Sequence, residues 1–284
     1  MNKKTFFIQG IILTIISLFL RLTNIGYRSF LSQKIGTQGM GLYQLIFSIF
    51  LLAITLSTSG ISLAVTRMVT SAITSKKRNS IRSIVFRCFT FCFICSLSIS
   101  CLLFFFSDIA ADILLGNAKA SSCLKILAIG LPFMSLSTCM KGYFLAVDES
   151  VATGFSDVLE NVLTIGLTVF MFWYNAPKSI ESACFAAMLS SSLGEISSFL
   201  FAFAAYRRSL RKHTPKEKKK AAGVLRGLRH IALPCTLSAA ARSLLNTGEN
   251  LLIPKELQRY GLDYKSSMSQ YGLLQGTSMP MLYF

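Results

Sequence analysis

The chain has 284 residues, 52% of them hydrophobic and only 14% charged, with a formal net charge of +17. A soluble domain carries about 25% charged residues, and the mean hydropathy here is +0.56, so the composition excludes a globular cytosolic protein and points to an all-α integral membrane protein. The basic residues fall in short clusters between apolar runs, which excludes a nucleic-acid partner and matches anionic headgroups beside membrane spans.

The first apolar run, Phe6 to Leu20, is followed at once by Arg21, and Arg28 and Lys34 come before a charge-free run from Leu42 to Val65. Stopping the first helix at Leu20 leaves it short of the roughly 20 residues that a bilayer core requires. Continuing it puts a guanidinium at membrane depth, at about 2.5–3.5 kcal/mol on insertion scales. The second course is tolerated if Arg21 faces a water-filled cavity, so a bundle built around a cationic cavity is expected. This first helix is predicted over about Thr5 to Leu31, bent near Asn24-Ile-Gly26. Met-Asn-Lys-Lys before an apolar run also resembles a signal peptide, but no small-x-small cleavage site follows Leu20, so an uncleaved helix is expected.

The second helix is predicted over Leu42 to Val65, closed by Arg67, and Lys76, Lys77, Arg78, Arg82 and Arg87 form a first basic loop. A third helix runs from Cys88 to Phe106, and Asp108, Asp112, Lys119 and Lys125 make a mixed-charge connection. The fourth helix, about Leu124 to Val147, holds Pro132 and Lys141. The fifth, Val151 to Tyr174, carries Asp157 and Glu160, and the sixth, Ser182 to Tyr206, carries Glu195. The largest basic cluster, Arg207 to Arg229, reads as a solvated loop that has room for an interfacial helix. A seventh helix from Ile231 to Ile253 contains Pro234, Arg242 and Glu249, and an eighth begins near Met268. With the N-terminus in the cytoplasm, both heavy basic clusters fall on the inner side, as the positive-inside rule requires.

The eight cysteines sit mostly within apolar runs. Cys88, Cys92 and Cys95 share helical spacing, but no histidine or carboxylate is interleaved to complete a metal site, so small apolar fillers at helix contacts are expected and no metal or other cofactor. His213 and His230 are the only histidines and lie among Lys and Arg. No nucleophile with a nearby base appears, so the chain is not read as an enzyme.

Three segments carry a resemblance: Arg21-Leu-Thr-Asn-Ile-Gly-Tyr-Arg28, Ile35-Gly-Thr-Gln-Gly-Met-Gly-Leu-Tyr-Gln44 and Ser59-Gly-Ile-Ser-Leu-Ala-Val65. Lys141-Gly-Tyr-Phe144, Ser156-Asp-Val-Leu-Glu160, Leu233-Pro234, Glu249-Asn-Leu-Leu-Ile-Pro254 and Tyr271-Gly-Leu-Leu-Gln-Gly276 follow in order. Together they resemble the stage V sporulation protein B family of polysaccharide transporters, within the multidrug/oligosaccharidyl-lipid/polysaccharide flippase superfamily. The resemblance implies two lobes of helices that move lipid-linked cell-wall or polysaccharide precursors by alternating access. Here it covers a six-helix lobe and the first one to two helices of a second, and the sequence stops inside helix eight. Lys141 stands where the family usually has arginine, and Asn161, Val162 and Leu163 replace its frequent Gln and Arg after Glu160.

The expected organisation is therefore a polytopic, multi-pass protein of the cell membrane: residues 1–206 as the first lobe, 207–229 as a basic cytoplasmic loop, and 230–284 as the start of the second lobe. Arg21, Arg28, Lys141, Glu160, Glu195, Arg242 and Glu249 are the candidate cavity residues, since an ionisable group within a span is a functional hypothesis by default. Arg21 and Arg28 are two helical turns apart and can clamp an anionic headgroup; snorkelling is the other reading for both. For the remaining charges the other reading is an ion pair between helices. The expected function is a flippase for lipid-linked anionic glycan precursors of peptidoglycan or polysaccharide, linked to the spore wall. The expected lipid contacts are anionic headgroups at Lys76–Arg87 and Arg207–Arg229. Two alternatives stand beside it, a non-transporting fragment, which a second polypeptide would complete, and a multidrug exporter of the same superfamily.

Overall fold

A computed structural model describes residues 3–75, 80–175, 177, 179–213 and 224–275. Helix α1 spans Lys3–Thr58, 56 residues, which would be roughly 84 Å long if straight, far more than a hydrocarbon core of about 30 Å. It is broken at Gly36, where φ 69 and ψ 177 interrupt the helical backbone, a combination that glycine alone adopts without strain. Residues 3–35 are thus a first pass and 37–58 a second. The bend expected at Asn24–Gly26 is absent, because a glycine with negative φ stays helical and Asn24 is pinned across the bundle by Asn161, whose Nδ2 donates to its Oδ1 at 3.0 Å.

The predicted helix from Leu42 to Val65 is also divided. α1 ends at Thr58, Gly60 adopts φ 75, and α2 covers Ile61–Thr74. A Cβ on Gly60 would lie 2.7 Å from the Ala232 carbonyl oxygen, so two backbones meet where the apolar run looks continuous. The remaining helices are α3 (Ile81–Phe105), α4 (Ser107–Leu115), α5 (Ser121–Ala146, after a 3-10 turn at Ala118–Ala120), α6 (Val151–Asn175), α7 (Ile180–His213), α8 (Val224–Arg259) and α9 (Tyr264–Leu273). Much of the expected basic loops is helical: Arg82 and Arg87 belong to α3, Arg207 to Lys212 to α7, and Arg229 to α8. Arg and Lys are good helix formers whose long stems reach along apolar surface, so the helices outrun their apolar runs. Residues 76–79 and 214–223 of those loops, and the expected eighth helix beyond residue 275, lie outside the described residues.

Side-chain bonds fix the register. The first pass runs parallel to α6, with Gln9 donating to the Asp148 carbonyl at 2.9 Å, Asn24 beside Asn161, and Tyr27 3.1 Å from Thr168 Oγ1. α7 runs antiparallel to α6, with Ser156 and Ser198 hydroxyls 2.8 Å apart and Ser190 against Met171. The second pass is antiparallel to α8: Thr236 donates to the Ser59 carbonyl at 2.5 Å and Thr247 to that of Ser48 at 3.2 Å. This register gathers the N-terminal end of α1, the α5–α6 turn, the end of α2, the start of α3, the end of α7 and the start of α8 at one end of the bundle. Arg82, Lys212 (paired with Glu149 at 3.3 Å) and Arg229 are there. Gly36, Leu115 (whose carbonyl accepts from Tyr264 Oη at 3.0 Å) and Glu181 lie at the other.

In a bilayer apolar burial gives helices little reason to associate, so close contact of small residues has to supply dispersion and hydrogen bonding. The helix seams are built that way. A Cβ on Gly194 of α7 would fall 2.2 Å from Thr164 Oγ1 of α6, and one on Gly142 of α5 would fall 2.6 Å from the Ser62 carbonyl of α2. Five helical segments among the described residues are long and apolar enough to cross a membrane, the first of them, Phe7–Thr74, containing the turn at Gly36. α8 is 36 residues long but carries Arg242 and Glu249 mid-helix and is not one of the five.

Candidate functional site

The second pass and α8 face each other through polar stripes at helical spacing. Ser48, Leu51 and Thr55 come from α1 and Ser59 from the turn that follows it; Ser238, Arg242, Ser243, Asn246, Thr247, Glu249 and Asn250 come from α8. With Ala239 and Gln275 they line a groove of about 670 Å³, within the range of ordinary ligand sites. One wall is locked: Asn250 Nδ2 donates to Ser48 Oγ at 3.2 Å and its Oδ1 accepts from Gln275 Nε2 at 3.2 Å. Arg242 and Glu249 are both exposed, and neither has a hydrogen-bond or ion-pair partner among the described residues. They stand seven residues apart on α8, about 10.5 Å along its axis. Such a site offers amides and hydroxyls to a sugar and a planar guanidinium to a phosphate.

Lys141, Glu160 and Glu195 are not among the lining residues of this groove. They converge between α5, α6 and α7. Lys141 Nζ donates to Asp157 Oδ1 at 2.6 Å, and Glu195, only 7% exposed, adjoins Glu160 and that ion pair. Asp157 is the partner missing from the sequence-level site: it shares a face with Glu160 one turn away, yet only the structure shows which neighbouring helix it meets. At the rim of the bundle, outside the spans, Asp108 of α4 accepts two hydrogen bonds from Lys125 at 2.8 and 3.0 Å, which hold its carboxyl below the usual carboxylate range.

Arg21 and Arg28 lie on the first pass, Arg21 exposed and Arg28 half-buried, and neither lines the groove. Asn24, on the turn between them, ties this pass to Asn161, whose own Oδ1 is buried without a partner among the described residues. Ser48, Asn246, Asn250 and Gln275 were not singled out from the sequence. The signal was present as a polar stripe at i, i+4 and i+8 through Ser238, Arg242 and Asn246, but neutral amides stand out less than charges.

Residues 7–255 match the family model described as polysaccharide biosynthesis protein. The chain belongs to this family. Among curated relatives it is similar to stage V sporulation protein B of Bacillus subtilis, 28% identical over 99% of this chain and 55% of that protein. It is also similar to sporulation protein YkvU of the same organism, 21% identical over 96% of this chain and 60% of that one. The chain therefore spans little more than half the length of these relatives. Solved structures share its fold. A MATE transporter in a straight conformation superposes with TM-score 0.69 at 16% identity, covering 99% of this chain and 68% of that one. An MOP-superfamily transporter from Pyrococcus furiosus gives 0.65 at 15% identity, over 99% and 68%. The chain thus shares the fold of these polytopic membrane transporters, and the resemblance drawn from the motifs holds over nearly the whole chain.

Proposed function

We propose that the chain carries lipid-linked anionic glycan precursors, of the peptidoglycan or polysaccharide kind, across the cell membrane by alternating access, in the service of a spore wall. The observation that carries this reading is the groove between the second pass and α8, lined mainly by hydroxyls and amides, with Arg242 in it lacking any hydrogen-bond or ion-pair partner among the described residues. An uncompensated guanidinium at a site rich in amides and hydroxyls suits a sugar attached to a phosphate, while the lipid tail stays in the bilayer. A cationic drug would gain nothing from Arg242, which ranks the multidrug reading second.

Residues 1–206 form the first lobe, 207–229 the connection and 230–284 the opening of the second lobe. The groove lies where these lobes meet, the place about which two-lobed transporters rock. The N-terminus is cytoplasmic, because the end of the bundle that gathers the basic residues belongs on the inner side. Lys76–Arg87 and Arg207–Arg229 bind anionic headgroups there.

Native mass spectrometry of the detergent-solubilised chain tests the reading. A pyrophosphate-linked lipid disaccharide is expected to be retained, and Arg242→Ala to weaken it about tenfold, the value of a lost charge-assisted contact. Equal retention of an uncharged glycolipid, or no effect of the substitution, refutes it.

A further inference from the structure

Glu249 is the feature of the groove that an anionic ligand does not explain. It is exposed to the groove, one face with Arg242, and no cation among the described residues answers it. Its neighbour Asn250 cannot turn to shield it, since both ends of that amide are engaged, by Ser48 and by Gln275. Tyr271 of α9, buried beside Glu249, brings no positive charge. A ligand anionic along its whole length would therefore bring like charge against this carboxylate, which costs affinity and steers such ligands away.

We infer that the groove's ligand carries a primary ammonium group ~10 Å from its anionic group, the ammonium held by Glu249 and the anion by Arg242. This rests on the reading of the groove as the glycan site and narrows its substrate class to amine-bearing precursors. Between the two charges the lining is uncharged: Ser243 and Thr247 supply hydroxyls and Asn246 an amide, one turn from each charge. That arrangement measures the separation of two charges across a neutral polar spacer such as a sugar. A carboxylate suits an ammonium as a point charge with rotatable donors, needing no fixed fork.

The test uses two lipid disaccharide pyrophosphates bearing the same short peptide, one with a free lysine side-chain amine and one with that amine acetylated. Binding to the solubilised full chain is measured by native mass spectrometry in sodium and in choline buffers. The wild type is expected to favour the free amine about tenfold, the size of one charge-assisted contact. Glu249→Gln, nearly isosteric, is expected to abolish the preference by weakening only the free-amine ligand, while Glu249→Asp keeps part of it. Arg242→Gln is expected to weaken both ligands alike and leave their ratio unchanged. Equal binding of both ligands by the wild type overturns the inference while leaving the glycan site standing, as does a preference that survives Glu249→Gln. So does a sodium dependence that vanishes in Glu249→Gln without any amine preference, which assigns the carboxylate to an inorganic cation. Failure of the wild type to bind either ligand overturns the glycan reading itself and this inference with it.

Discussion

Lys141 Nζ lies 2.6 Å from Asp157 Oδ1, so the cation that sits within the α5 span is answered by a carboxylate from α6. With Glu160 and Glu195 adjoining, one ammonium faces three carboxylates at a three-helix junction. Lys141→Met leaves those carboxylates together without their cation. Breaking a fully buried pair costs about 3–5 kcal/mol. Here the side chains retain 27% and 40% exposure, which lowers the expected loss to about 1–3 kcal/mol. Thermal unfolding of the solubilised protein should show the drop, with Lys141→Arg close to wild type and Lys141→Met with Asp157→Leu recovering much of it. An unchanged midpoint for Lys141→Met would show that the pair contributes nothing to folding.

The common location of the basic residues gives a topology prediction. In a background lacking the native cysteines, Arg82→Cys and Lys212→Cys should resist an impermeant thiol reagent applied to intact cells and react only after lysis. Asp112→Cys and Lys265→Cys, at the opposite end, should react at once. Labelling of either basic-end position from outside would reverse the orientation.

Two glycines clamp α9 onto the start of the second pass. A Cβ on Gly272 would lie 2.0 Å from the Thr37 carbonyl oxygen, and one on Gly41 would lie 2.3 Å from that of Met268. Each obstacle is backbone, which cannot rotate away as a side chain can. Thr37 and Ser269 hydroxyls, 2.5 Å apart, bind the same seam. Gly272→Ala and Gly41→Ala should each cost about 1–3 kcal/mol as overpacking and expose α9 to limited proteolysis. Gly166→Ala is the control: nothing lies within 4 Å of its added Cβ, and alanine favours a helix by about 1 kcal/mol. Equal protease resistance of all three variants would show the seam to be plastic.

Apolar run length located most of the spans, since α6 and α7 each cover a predicted helix and α3 and α5 each contain all but the last residue of one. The breaks were less legible. Gly26, Gly36, Gly39 and Gly41 compete as turn points in one segment, and only Gly36 takes a positive φ; hydropathy has no access to that choice. Gly60 hides within an uninterrupted apolar run because its break follows from contact with Ala232, more than 170 residues away in sequence. The charges of the site were visible as unusual residues at membrane depth. Their grouping was not, because whether Lys141 meets Asp157 or faces the groove depends on helix rotation, which packing sets. The shared face of Arg242 and Glu249 follows from helical spacing alone, and the structure adds the opposing wall.

Arg21 provides the last prediction. The register with α6 sets its depth: Gln9 is level with the Asp148 turn and Phe30 meets the Phe172 ring at 5.9 Å, near the far end of α6. Arg21 falls about midway between these two points, and it is exposed. No acidic residue forms an ion pair with it among the described residues, and snorkelling from mid-depth would have to span roughly half of a 30 Å core. A guanidinium there is stable only if its surroundings are wet, since lipid would exact about 2.5–3.5 kcal/mol or more. Arg28, two turns on and half-buried, lies nearer the far surface, where its stem alone can reach headgroups. Arg21→Ala should therefore leave membrane insertion intact and reduce binding of the pyrophosphate-linked lipid disaccharide about tenfold or more, as loss of a charge-assisted contact does. Arg21→Lys should retain part of the binding, because a point charge replaces the planar fork, and Arg28→Ala should have the smaller effect. Arg21→Cys should react with a small charged thiol reagent that a lipid-facing residue excludes, and the lipid disaccharide should slow that reaction. An inert thiol at this position, with binding by Arg21→Ala unchanged, would place Arg21 against lipid and remove it from the transport path.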